Sequence, residues 1–136
     1  MRTFFRPIST TIVSTLLLLT VISCAAVSGG FRSLSVQEAQ TFLTNNPETI
    51  VLDVRTPEEF ASATGHLKNA KLLPVQELEQ RLAELQPHKS KPILVYCRTG
   101  GRSARASEIL SKQGFTAINV TGGILDWNAA NFPVEK

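Results

Sequence analysis

The chain has 136 residues, with 14 Lys and Arg against 11 Asp and Glu and a formal net charge of +3. That length is a prior for one domain. Arg2 and Arg6 supply most of the excess, so the remainder is nearly neutral and lacks the clustered basic surface that nucleic-acid binding needs.

Residues 1–23 do not read as domain. Arg2 and Arg6 make a positive start, residues 12–22 form an almost unbroken apolar run, and no acid occurs before Glu38. This is the order of a secretory signal, and the run is shorter than the ~20 residues of a spanning helix. An uncleaved anchor or a buried core helix is the alternative. Val21-Ile22-Ser23-Cys24 resembles the bacterial lipobox, which implies that Cys24 is lipidated and becomes the first mature residue. The expected location is then periplasmic and lipid-anchored. Ordinary cleavage after Ala25 or Ser28, among equally small residues, would give a soluble periplasmic protein instead. Residues 24–33 read as a tether and residues 34–136 as the domain. With Cys24 consumed, Cys97 is the only thiol left, either a small apolar core residue or a reactive group.

The domain begins with Ser35-Val36-Gln37-Glu38, a capping box. The helix it opens buries Val36, Ala39, Phe42 and Leu43 and stops at Asn45-Asn46-Pro47. Ile50-Val51-Leu52-Asp53-Val54 is apolar until Asp53 and suits a strand covered on both faces. Thr56-Pro57-Glu58-Glu59 is a second capping box with Pro at the first helical position, so a short helix follows. A loop from Gly65-His66-Leu67 leads to a short strand at Leu72-Leu73. Leu78, Leu82 and Leu85 then recur at helical spacing until Pro87. Lys91-Pro92-Ile93-Leu94-Val95-Tyr96 is a second buried-type strand and runs into Cys97. A helix over residues 104–113 ends at Gly114, a strand covers residues 117–120, Gly122-Gly123 turns, and a last helix covers residues 124–130. Alternating strands and helices predict an α/β fold, a doubly wound and mostly parallel sheet with helices on both faces. Ligands bind such sheets beyond the C-terminal strand ends, where Asp53, Arg55 and Cys97 fall.

Cys97-Arg98-Thr99-Gly100-Gly101-Arg102-Ser103 joins a strand to a helix. Two glycines let the chain turn so that successive N–H groups point inward, and the following helix N-terminus also favours an anion. Arg98 and Arg102 add full charges. A cysteine in that setting is expected to be thiolate near neutrality, the form that attacks sulfur.

Four segments now fall in one order: Val51-Leu52-Asp53-Val54-Arg55-Thr56-Pro57-Glu58-Glu59-Phe60, Gly65-His66-Leu67-Lys68-Asn69-Ala70, Tyr96-Cys97-Arg98-Thr99-Gly100-Gly101-Arg102-Ser103 and Thr121-Gly122-Gly123-Ile124-Leu125-Asp126-Trp127. Together they resemble the successive signatures of the rhodanese homology domain, above all its small single-domain members. The resemblance implies a thiosulfate-like donor of sulfane sulfur, a persulfide on Cys97, release of sulfite, and a thiophilic acceptor: cyanide in an assay, a thiol in the cell. It implies no metal and no organic cofactor. The loop residues Arg98, Thr99, Gly100, Gly101, Arg102 and Ser103 are the expected substrate contacts. Arg55 joins them, with loop-holding by hydrogen bonds as its alternative. Asp53 and His66 are expected to order loops near the site.

Two other functions compete. A cysteine-dependent phosphatase or arsenate reductase also cradles an anion beside Cys and Arg, but the spacer between Cys97 and Arg102, residues 98–101, is one residue short of the tyrosine phosphatase pattern. A sulfur carrier with little turnover would keep Cys97 and differ only in rate. For the leader, expression of the full chain in a Gram-negative host, followed by fractionation and mass analysis of the mature N-terminus, should give a membrane-bound product beginning at a lipidated Cys24. A soluble product beginning after Ala25 or Ser28 would remove the lipid while leaving export intact.

Overall fold

The computed structural model describes residues 30–136. The expected signal, Cys24 and most of the expected tether lie outside the described residues. Among the described residues, no helix is long and apolar enough to cross a membrane. The elements are β1 (Arg32–Leu34), α1 (Val36–Asn45), β2 (Ile50–Asp53), α2 (Pro57–Phe60), β3 (Lys71–Leu72), a 3₁₀ helix (Leu82–His88), β4 (Pro92–Tyr96), α3 (Gly101–Lys112), β5 (Thr116–Val120) and α4 (Gly123–Ala129).

The five strands lie in the order β1-β5-β4-β2-β3, and every pairing between them is parallel. Apolar residues on both faces explain why β4 sits in the middle. Ile93 and Val95 face one core cluster with Leu52, Leu78, Leu85 and Leu110, while Leu94 and Tyr96 face another with Val36, Ala39, Ile118 and Trp127. Successive strand residues point to opposite faces, so a strand apolar at every position needs a cover on each side. Helix α3 supplies one cover, and α1 with α4 supplies the other. The chain steps outward from β2 to β3, then reverses past β2 to β4, which places the C-terminal ends of β2 and β4 side by side with Asp53 opposite Tyr96. Such a reversal opens a crevice at the strand ends.

Both capping boxes form. Ser35 and Glu38 bond reciprocally at the start of α1, as do Thr56 and Glu59 at the start of α2. Three expectations change. Arg32 and Ser33 were expected in the tether but pair with Ile118 and Asn119, so the sheet begins at Arg32. The Leu78, Leu82 and Leu85 spacing predicts an α-helix, yet the chain forms turns and then a 3₁₀ helix containing Pro87. Its leucines still reach the core, and a proline inside the last turn cannot supply the amide that an α-helix requires there.

The third change is Arg55. Its side chain is 1% exposed. Nε bonds to both Asp53 oxygens at 2.9 Å, Nη2 to Asp53 Oδ2 at 2.6 Å and to the Gly65 carbonyl at 2.9 Å, and Nη1 to Thr64 Oγ1 at 2.9 Å. Its guanidinium also lies 5.6 Å from the centre of the Tyr96 ring. Arg55 is therefore corrected from a substrate contact to a buried tie between the end of β2 and the loop of residues 62–67, because all three of its guanidinium nitrogens are engaged by protein. Asp53 shares that task. Removing one partner strands the other charge in a dry interior. Arg55→Ala should therefore destabilise the domain by about 3–5 kcal/mol in urea denaturation, far more than loss of an exposed arginine.

Candidate active site

Strand β4 delivers Cys97 to the crevice, where the residue is 1% exposed. The chain then turns within three residues into α3. Gly100 makes that turn at φ 106°, a backbone conformation side chains rarely adopt. Its missing side chain also matters, since a Cβ there would sit 3.1 Å from the Gly122 nitrogen. Gly101 differs from expectation: it is the first residue of α3, without positive φ, and a Cβ there would meet nothing within 4 Å. One glycine, Gly100, makes the turn.

The donors converge on sulfur. The Gly100 N–H points to Cys97 Sγ at 3.1 Å, and Ser103 Oγ lies 3.4 Å from Sγ. The same hydroxyl lies 3.1 Å from the Gly100 carbonyl, so its single proton has two acceptors, and a charged sulfur is the stronger one. Burial pushes the Cys97 pKa up. The Ser103 hydroxyl and the backbone N–H groups of Ser103, Gly100 and Thr99 outweigh it, and the thiol is held below its ordinary value.

The two arginines expected to add to this effect are placed differently, and the Arg102 charge acts on Cys97. Arg98 is exposed and makes no ion pair among the described residues. Arg102 is committed to Glu59 in a two-pronged pair, Nη1 to Oε2 and Nη2 to Oε1, each 2.7 Å. Arg102 in turn holds the Glu59 carboxyl far down, at about 2. Thr99 is exposed at the loop tip and contributes its backbone.

The loop is fixed from behind by α4. The Ile124 N–H bonds to the Cys97 carbonyl at 2.9 Å and the Leu125 N–H to the Arg98 carbonyl at 3.2 Å. These are first-turn amides with no partner inside their own helix. The approach needs Gly123, since a Cβ there would lie 2.4 Å from the Cys97 carbonyl oxygen and 2.5 Å from that of Arg98. The Gly122-Gly123 pair, read from sequence as a turn, is thus a support of the site. The signal was visible as two adjacent glycines before a helix, but nothing local said what approaches them.

His66 is held by its neighbours. Its ring stacks on Phe60 at 4.0 Å, and its backbone pairs with Glu135 through two bonds of 2.9 and 2.8 Å. Trp127 donates to the Pro133 carbonyl at 3.1 Å and packs edge-on against Phe132.

Residues 35–130 match the family model described as rhodanese-like domain. The chain belongs to the rhodanese-like domain family. It is similar to thiosulfate sulfurtransferase PspE of Escherichia coli K12, 37% identical over 75 residues, covering 55% of this chain and 70% of that protein. It is also similar to thiosulfate sulfurtransferase GlpE of Vibrio cholerae, 35% identical over 106 residues, covering 77% and 95%. Among solved structures, a rhodanese-like domain protein from Staphylococcus aureus superposes with a TM-score of 0.66 at 30% identity, covering 78% of this chain and all of that one. A rhodanese-related protein from Thermoplasma volcanium gives 0.67 at 32% identity, covering 76% and 96%.

In this rhodanese loop the hydroxyl of Ser103 is the one side-chain donor to sulfur among the described residues. Ser103→Ala should raise the Cys97 pKa, because it deletes a bond made to the charged form. The midpoint of the pH dependence of alkylation should move upward, and an unmoved midpoint would assign the effect to the backbone alone.

Proposed function

We propose that the chain is a sulfurtransferase that carries sulfane sulfur as a persulfide on Cys97. The observation that carries this reading is the ring of N–H and hydroxyl donors around a single buried sulfur. Names borne by relatives point the same way: PspE and GlpE are both thiosulfate sulfurtransferases.

The Cys97 thiolate attacks the outer sulfur of a thiosulfate-like donor. The donor's S–S bond breaks, and its electron pair leaves with sulfite. Cys97 then holds the sulfur as a persulfide anion. The Gly100, Thr99 and Ser103 N–H groups and the Ser103 hydroxyl, already turned toward Sγ, stabilise negative charge there without reorganising. A thiolate acceptor, or cyanide in an assay, attacks the outer sulfur and takes it, and the Cys97 thiolate returns. No step requires a proton to be held by His66, which is consistent with its stacked position on Phe60.

The short loop favours this reading over phosphate chemistry. Its N–H groups close on one sulfur atom, and Arg102, the arginine such a phosphatase would use, is occupied by Glu59. The leader of residues 1–23 supports a site of action outside the cytoplasm, with Cys24 as the proposed lipid attachment.

Incubation with thiosulfate should add one sulfur atom to Cys97, seen by intact mass and removed by cyanide. Cys97→Ser should abolish both the adduct and turnover. Retention of turnover in the serine variant would overturn the assignment, whereas a stable adduct with negligible turnover would identify a sulfur carrier.

A further inference from the structure

The Glu59 carboxylate has no task in the transfer just described, yet it is placed with care. Oε2 accepts the Thr56 N–H at 3.1 Å, which completes the cap of α2. The same oxygen and Oε1 also grip both terminal nitrogens of Arg102, across 43 positions of sequence. A helix cap needs only the first of these bonds. The fork to Arg102 joins α2 to the first turn of α3, next to Ser103, whose hydroxyl reaches Cys97 Sγ. The Arg102 and Cys97 charges also act on each other.

The segment from Cys97 to Ser103 holds two cations. Arg98 is exposed and unpaired among the described residues, and Arg102 is matched charge for charge by Glu59. An arriving anion therefore meets one uncompensated cation instead of two. Coulomb energy scales with the charge of the arriving group, so this loss weighs twice as heavily on a dianion as on a monoanion. Thiosulfate is a dianion, and an alkyl persulfide carries at most one charge at its sulfur.

We infer that Glu59 sets donor selectivity: its fixed pair with Arg102 withholds one cation from the donor and shifts preference from dianionic donors toward persulfides of low charge. This rests on the proposed sulfur transfer. Both donor classes react by the same step. The Cys97 thiolate bonds to the outer sulfur, the donor's S–S bond breaks, and the electron pair leaves with sulfite or with an alkyl thiolate that solvent protonates.

The test compares kcat/KM for thiosulfate and for the persulfide of N-acetylcysteine methyl ester, with cyanide as acceptor, in the purified full-length chain at low ionic strength. Glu59→Gln retains a side-chain acceptor for the Thr56 cap, since Gln serves in capping boxes. In this variant kcat/KM for thiosulfate should rise roughly three- to tenfold, through a lower KM, while that for the persulfide stays within about twofold, the modest size reflecting a partly exposed pair. Added salt should shrink the gain. Arg102→Gln should move the ratio the opposite way, which keeps the inference testable if Glu59→Gln folds poorly. The double variant E59Q/R102Q should bring the ratio back toward wild type.

An unchanged ratio, or a parallel fall for both donors, would mean that the pair merely ties α2 to α3, and the inference would be lost. Absence of transfer from either donor in the wild type would instead overturn the sulfurtransferase reading itself.

Discussion

The site depends on where the carbonyls of Cys97 and Arg98 point. A trans peptide unit directs its C=O and the next N–H in opposite directions. When α4 draws these two carbonyls toward its own first-turn amides, the N–H group that shares a peptide unit with each must face the other way. The Arg98 carbonyl and the Thr99 N–H belong to one such unit, and Thr99 is among the groups that lower the Cys97 pKa. The arrangement also satisfies the unpaired start of α4, so the same bonds serve the helix and the loop. Gly123 permits it by leaving room for two carbonyl oxygens.

This geometry lowers the pKa of a nearly inaccessible thiol. Burial alone would favour the neutral form. Fixed dipoles at short range offset that cost, and they persist whatever the ionic strength, unlike a field from exposed arginines. The division of labour is therefore different from what the two arginines suggest. Backbone and Ser103 lower the Cys97 pKa, Arg98 is left open to solvent, and Arg102 is bound into the framework through Glu59.

Behind the loop, a buried ion pair keeps the crevice in shape. Asp53 and Arg55 sit at the end of β2 beside Tyr96, the residue before the cysteine, and Arg55 reaches the Thr64 side chain and the Gly65 carbonyl. The Tyr96 hydroxyl accepts the Leu67 N–H at 3.1 Å, so the same strand that presents Cys97 also fastens the neighbouring loop. A fully bonded buried charge is costly to disturb, which makes it a stiff joint between the end of β2 and the loop of residues 62–67.

Much of this was legible without tertiary information. The capping boxes at Ser35 and Thr56, the two apolar strands, Gly114 beyond α3 and the strand–loop–helix around Cys97 are local patterns, governed by bonds between residues a few positions apart. They were sufficient for the α/β class, the sheet and the family resemblance. What the sequence could not decide were pairings between distant residues. Arg55 and Arg102 look alike in sequence, as cations beside a strand end and a loop, and only the fold shows one engaged by Asp53, Thr64 and Gly65 and the other by Glu59. The 3₁₀ helix replaced an α-helix because leucine spacing records which residues are buried and not which backbone bonds form around Pro87. Sequence by itself determined which residue is the candidate nucleophile, since strand, cysteine, glycine and helix follow one another along the chain. The tertiary structure alone decided what stabilises it, because the groups that orient the loop and balance its charge come from α2 and α4, brought beside it by the folding of the whole sheet.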